Sequence, residues 1–253
     1  MCADHDSDGL AASPDLANSQ AHNQANSQSH SQACGQGPGD QHPVHHEVGL
    51  KLAILAKAPI PGQAKTRMIP ALGAEGAARL QHRLIEYTLK TALETTSARN
   101  ITLWTALEHD HPCFVDIRQR FGVTLRPQPE GDLGVRMHAA LCSAGGPSLL
   151  IGTDCPILDK TLLKTCHKRL KDADSVFLPA EDGGYALVGV RRPDPRLFRG
   201  IDWGTSSVMS QTRTRLAELL WTLECPTTVW DLDTPQDLAR LADMEALALE
   251  ILP

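Results

Sequence analysis

Short runs of almost purely apolar residues recur along this chain between segments of helical spacing, and that alternation restricts the fold more than any other feature. Leu52-Ala53-Ile54-Leu55-Ala56 has no polar alternate positions, as expected of a strand buried on both faces. Further strands are predicted over residues 101–104, 122–125, 148–151, 175–178, 185–190 and 228–230. Between them, residues 73–96 place Leu80, Leu84, Tyr87 (or Ile85), Thr91 and Leu93 at roughly helical spacing. Residues 114–121, 134–142, 160–170, 207–220 and 235–249 predict further helices. Strands alternating with helices in this way argue for an α/β domain around a mostly parallel sheet.

Composition sets the limits of that domain. Residues 1–47 are rich in Ser, Gln, Asn, His, Gly and Asp and nearly lack branched apolar side chains. Such a segment cannot bury enough surface to offset its ordering entropy, so it is expected to be a disordered polar tail ahead of one folded domain over residues 48–253. With 42% hydrophobic but only 4% aromatic residues, the core is expected to be aliphatic. A net charge of -6 offers no basic footprint for nucleic acid. The start of the chain lacks the charged and apolar regions of a signal peptide, and no stretch is long and apolar enough to insert in a membrane. The seven cysteines form no C-x-x-C pair and suggest reduced thiols, which points to the cytoplasm.

Chemistry is expected where open α/β sheets bind ligands, outside the carboxyl ends of the strands. The first strand runs into Lys57-Ala58-Pro59-Ile60-Pro61-Gly62-Gln63-Ala64-Lys65-Thr66-Arg67. Lys57, Lys65 and Arg67 bring three cations to one loop, a supply suited to phosphate oxygens, and Gly62 lets backbone approach a ligand. This is not a Walker A loop, because Lys65 does not follow a glycine. A second cluster, Gly152-Thr153-Asp154-Cys155-Pro156, delivers a carboxylate able to ligate a hard cation such as Mg²⁺ or Mn²⁺. Asp154 competes with a helix-capping role, for which Asp159 stands better placed. A third, Pro179 to Tyr185, reads as a hairpin turn that can still turn Asp182 toward a substrate. A fourth carries Asp231 and Asp233 ahead of Thr234-Pro235, a good N-cap and first-turn pair; from there a second carboxylate can join Asp154.

Taken in order from about residue 50 to 241, these stretches resemble the bacterial family DUF2064. That family is also described as rSAM/selenodomain-associated transferase 1 and as arsenosugar-biosynthesis glycosyltransferases. The matching residues include Ala56-Lys57-Ala58-Pro59, Lys65-Thr66-Arg67 and Gln128-Pro129-Glu130-Gly131-Asp132-Leu133-Gly134-Val135-Arg136-Met137. Gly152 to Pro156, Pro179 to Tyr185, Asp202-Trp203-Gly204-Thr205 and Asp231 to Pro235 complete the set. The family is similar to the GT-A superfamily of nucleotide-diphospho-sugar transferases, whose wider relatives include guanylyltransferases of cofactor F420 and molybdopterin biosynthesis and cytidylyltransferases. The resemblance implies a GT-A-like three-layer α/β/α fold with a mostly parallel mixed sheet. It also implies Asp154 and Asp233 as ligands of Mg²⁺ or Mn²⁺. Lys57, Gly62, Lys65, Thr66, Arg67, Asp132 and Arg136 would lie on the nucleotide side, Asp182 and Lys65 at the reacting centre, and Gly183, Gly184, Tyr185 and Trp203 around the acceptor; from the residues alone, the Glu130–Arg136 stretch reads equally as a capped helix start with a solvated arginine, and Trp203 reads rather as core packing. The chain departs from the nucleotidyltransferases in lacking their G-x-G-x-R loop.

Three functions remain open at this point. The first is transfer of a sugar from a nucleotide-diphospho-sugar to an acceptor, with the metal neutralising the leaving group, Lys65 and Arg67 assisting, and Asp182 as base. The second is nucleotidyl transfer with release of pyrophosphate from an NTP. The third is a non-catalytic nucleotide-binding module, which has little need of two separated carboxylates.

Overall fold

The structure, a computed structural model, describes residues 49–252. The polar tail expected over residues 1–47 lies outside the described residues. In β1 (Lys51–Lys57) the pleat sends Leu52, Ile54 and Ala56 to one face and Ala53 to the other, and all four are buried. β2 (Ile101–Ala106) pairs parallel with β1, and β3 (Thr124–Pro127) parallel with β2. On the other side β4 (Ser148–Ile151) pairs parallel with β1, bringing Ile54 opposite Ile151. β5 (Ser175–Pro179) and β6 (Tyr185–Val190) form a hairpin, and β6 inserts between β4 and β5, antiparallel to both. β7 (Leu223–Glu224) closes the edge, parallel to β5. The order is β3-β2-β1-β4-β6-β5-β7, a mixed sheet with one reversed strand.

Helices cover both faces because β1, β2, β4, β5 and β6 bury apolar side chains on both. On one face lie Ile85 and Leu89 of α1 (Ile69–Leu93), Phe114 and Ile117 of α2 (Pro112–Phe121), and Leu163, Cys166 and Leu170 of α4 (Lys160–Asp172). On the other lie Met137 and Leu141 of α3 (Leu133–Ala144) and Met209 and Leu216 of α5 (Val208–Glu218). The result is the expected three-layer α/β/α arrangement. A fully buried side chain of this kind contributes about 1.5–3 kcal/mol.

A third cluster matters for the site. α1 turns a second apolar stripe, Ala77, Leu80 and Leu84, toward Trp230, Leu232, Leu241 and Ile251. This packing holds the segment carrying Asp231 and Asp233, with α6 (Pro235–Ala242) and α7 (Glu245–Ile251), against the domain.

Several boundaries differ from the sequence reading. The helix expected from Gly73 begins at Ile69, and Gly73 itself breaks it with φ 68°. Residues 228–230 make no strand; Val229 forms a single bridge to Ala180. The short β7 was not foreseen, because two residues carry no periodic signal. The helix expected over 235–249 divides at Asp243 and Met244. Asp159, rather than Asp154, caps α4, accepting from the Leu162 N–H at 2.7 Å.

Candidate functional site

The carboxyl ends of β1, β3 and β4, the start of β6, and the segment before α6 surround a cavity of about 580 Å³. Its lining includes Lys57, Lys65, Thr66, Arg67, Arg136, Asp154, Asp182, Gly184, Tyr185, Trp203 and Asp233, all expected from the sequence. It also includes Asp231, named with Asp233 as a source of the second carboxylate, and Gln81, Gln128, Leu133, Met137, Thr205 and Val208, to which the sequence assigns no role. Gly62, Asp132 and Gly183, expected at the site, do not line it.

The basic loop is fastened from below. Ala58, Ala64 and Met68 are buried, and Met68 belongs to the cluster under α1. Four of the loop amides are used within the protein: Ala58 N donates to Ala106 O, Ile60 N to Ala58 O, and Gln63 N and Ala64 N to Ile60 O. Pro59 and Pro61 have no amide hydrogen to give. The loop brings the side-chain cations of Lys57, Lys65 and Arg67 to the cavity. Gly62, at φ 79°, serves its turn.

Lys65 is the most constrained of these cations. It adopts the left-handed region with φ 49° and leads into a short 3₁₀ turn over Thr66–Met68. Its side chain is 3% exposed, and Nζ lies 2.7 Å from Asp154 Oδ1 and 3.9 Å from Asp233 Oδ1. Nζ also donates to the Leu232 carbonyl at 2.6 Å. Arg67 Nη1 pairs with the second oxygen of Asp233, Oδ2, at 2.5 Å. Lys57 and Arg136 complete the positive side. Arg136 is steered by hydrogen bonds from Nε to Gly131 O at 3.2 Å and from Nη1 to Gln128 Oε1 at 3.5 Å.

The carboxylates come from three separate stretches. Asp154 is positioned by its neighbours on both sides: Leu232 N donates to its carbonyl at 2.7 Å, and buried Thr153 accepts from Gln81 Nε2 at 3.2 Å. Gln81 reaches Lys57 O as well, at 3.4 Å, so one amide ties the ends of β1 and β4 together. Asp233 and Thr234 N–H groups donate to Asp237 Oδ2, closing a capping box at the start of α6. Asp231 lies among these acids. Burial first, then the charges of Asp154 and Asp182, push its carboxyl up to about 7, with Lys65 pulling the other way. Asp182 accepts from Gly184 N at 2.9 Å through Oδ1.

The oxygen-only chemistry of Asp154 and Asp233 suits a hard divalent cation, and both already converge on a single cationic atom, Lys65 Nζ. Among the described residues, no three His, Cys, Asp or Glu side chains gather into a ready cage. An ion held here would complete its shell with water or substrate oxygens, as magnesium commonly does. Neighbouring Cys155 is buried, and burial raises its thiol well above the usual range, which leaves it inert.

The lining also holds apolar and aromatic side chains. Tyr185 meets Phe177 edge-on at 4.9 Å and Trp203 at 6.5 Å, and its hydroxyl points to Met137 Sδ at 3.9 Å. Gly134 allows α3 close to Trp203: a Cβ there would stand 2.9 Å from the indole. Gly183 does similar work outside the cavity, where the hairpin meets Ser206 and Met209 N donates to Gly183 O at 2.8 Å. Asp132 is spent as the N-cap of α3, accepting from Val135 N at 2.8 Å.

Among the described residues, no helix is long and apolar enough to cross a membrane. The model of the DUF2064 family, described as an uncharacterized protein conserved in bacteria, matches residues 88–205. That span contains the Gln128–Met137, Gly152–Pro156, Pro179–Tyr185 and Asp202–Thr205 stretches on which the resemblance rests. No curated protein matches the sequence. Among solved structures, a protein of Desulfovibrio desulfuricans G20 described as a candidate nucleotide-diphospho-sugar transferase is similar at 24% identity. The alignment covers 77% of this chain and 87% of that one, with a TM-score of 0.69. The inositol-1-phosphate CTP transferase from T. maritima is similar at 12% identity over 80% of this chain and 96% of its own, with a TM-score of 0.50. The fold is thus of the nucleotide-diphospho-sugar transferase type expected from the motifs.

Proposed function

We propose that this protein is a transferase of nucleotide-activated substrates, and specifically a metal-dependent glycosyltransferase that moves a sugar from a nucleotide-diphospho-sugar to an acceptor hydroxyl. The observation that carries the reading is one strand-end cavity lined both by cations and carboxylates and by the aromatic pair Tyr185 and Trp203. Lys57, Arg67 and Arg136 stand where they can hold phosphate oxygens. Arg136 on the second turn of α3 and Arg67 beside Asp233 approach from different walls, so a diphosphate would be gripped between them. Mg²⁺ or Mn²⁺, held by Asp154 and Asp233, would supply charge stabilisation to the leaving nucleoside diphosphate.

In the same lining, Trp203 and Tyr185 offer faces against which a sugar or acceptor ring can pack. Asp182 opens into the same space and would take the proton from the acceptor hydroxyl as the new bond forms. Product analysis with labelled donors tests the assignment. Release of UDP or GDP from a nucleotide sugar, dependent on Mn²⁺ and lost in Asp154→Ala, is expected. Pyrophosphate release from an NTP would overturn glycosyl transfer in favour of nucleotidyl transfer.

A further inference from the structure

The two carboxylates assigned to the metal are not free. Asp154 Oδ1 lies 2.7 Å from Lys65 Nζ, Asp233 Oδ1 lies 3.9 Å from the same atom, and Asp233 Oδ2 is paired with Arg67. The lysine is 3% exposed, whereas Asp154 and Asp233 are 48% and 40% exposed. The ammonium therefore sits on the protein side of the carboxylates and the open side faces the cavity. Its third contact, the Leu232 carbonyl at 2.6 Å, comes from the residue just before Asp233. The left-handed backbone at Lys65 is unusual for a side-chain-bearing residue and aims it at this point. Lys65 and Arg67 face both oxygens of Asp233 and one of Asp154, so a divalent ion that takes both acids competes with the ammonium for their charge.

We propose that Lys65 is a resident cation of the Asp154–Asp233 pair, which a divalent metal must displace in order to bind. This rests on the metal reading given above and adds a control to it. In the resting protein Lys65 neutralises the acids, so the site does not need an ion to be stable and holds a bare ion weakly. Displacement frees the ammonium inside the cavity beside Thr66 and Arg67, where substrate phosphates are its alternative partners. Metal and phosphate binding are then coupled through one side chain, each making the other more favourable.

Competition has a definite size. Apparent affinity falls by the fraction of molecules in the competent state. If Lys65 leaves the carboxylates in only about 1–10% of molecules, removing it tightens bare Mn²⁺ binding by about 10- to 100-fold. Mn²⁺ alone is titrated into the full-length protein and followed by the electron paramagnetic resonance signal of the free ion. Lys65→Met is expected to bind at least about tenfold more tightly than the unaltered chain. Lys57→Met is the control for charge alone: it removes an equal charge from the same cavity wall without a contact to either carboxylate. It is expected to change affinity far less.

A second measurement needs no variant at Lys65. Acylation of its amine in the unaltered chain, followed by peptide mass spectrometry, should be faster with saturating Mg²⁺ than with EDTA. Unchanged or weaker Mn²⁺ binding in Lys65→Met, or acylation indifferent to Mg²⁺, overturns the displacement. If the unaltered chain binds Mn²⁺ and Asp154→Asn does not, the metal reading survives that failure. If neither the unaltered chain nor Lys65→Met binds Mn²⁺, the metal reading falls and the displacement with it.

Discussion

Replacing Gly183 with alanine separates two reasons for a glycine that are usually confounded. Gly183 has φ +91°, and a Cβ built on it would lie 2.1 Å from Ser206 O and 2.6 Å from both Ser206 C and Cα. These are backbone atoms, so no rotamer change relieves the clash; the β5–β6 hairpin or the segment leading into α5 has to move. A side chain in the positive-φ region costs about 1–2 kcal/mol. Forced overpacking adds about 1–3 kcal/mol, giving about 2–5 kcal/mol for Gly183→Ala. Gly62 supplies the control, because its φ is +79° and a Cβ there meets nothing within 4 Å. Gly62→Ala should therefore show only the conformational cost of about 1–2 kcal/mol. Urea unfolding of both variants, read by circular dichroism at unchanged slope, measures the difference directly. Two values agreeing within about 0.5 kcal/mol would refute the close approach of the hairpin to Ser206.

Further substitutions probe the acidic side of the site. Asp159→Ala should cost about 1 kcal/mol of stability through the lost cap of α4, yet leave nucleotide binding in the presence of Mn²⁺ intact by calorimetry. Asp154→Asn should abolish that binding. It should also destabilise the fold by about 1–2 kcal/mol, because a largely buried ammonium loses its charged partner while solvent still screens the exposed side. A small effect of the first on stability together with a large effect on binding would reverse the two roles. Asp231 gives a pH signature. Its carboxyl is held at about 7 in the folded chain against an ordinary 3.8, so between those values the folded state keeps a proton that the unfolded chain has released. Stability in EDTA should fall as pH rises through that window, and Asp231→Asn should flatten the fall; parallel profiles for the two proteins would contradict it.

Much of the sheet was legible because burial on both faces forces a continuous apolar run. The bounds of β4 and β6 agree with the runs Ser148-Leu149-Leu150-Ile151 and Tyr185-Ala186-Leu187-Val188-Gly189-Val190. Edges and termini were less legible. Two residues suffice for β7 because Ser175 and Val176 already present a template, and that template is absent from the local sequence. Residues 228–230 have strand-like composition, but they are drawn to α1 through Trp230 and Leu232 and reach the sheet only through Val229.

The sequence by itself determined which groups a strand end delivers: a basic loop after β1, an aspartate after β4, two more before α6, and a hairpin carrying Asp182. Those are local facts of residue type and spacing. Only the tertiary structure decided their partners. Parallel pairing of β1 with β4 sets Ile54 beside Ile151, and the Leu232 N–H on the Asp154 carbonyl brings in the third segment. From that register follow the burial of Lys65 against Asp154, the raised carboxyl of Asp231 and the tie made by Gln81. The same register leaves Gly62 and Asp132 to the backbone tasks of turn and cap. Electrostatic roles depend on distances between segments far apart in the chain, and long-range pairing alone fixes those distances.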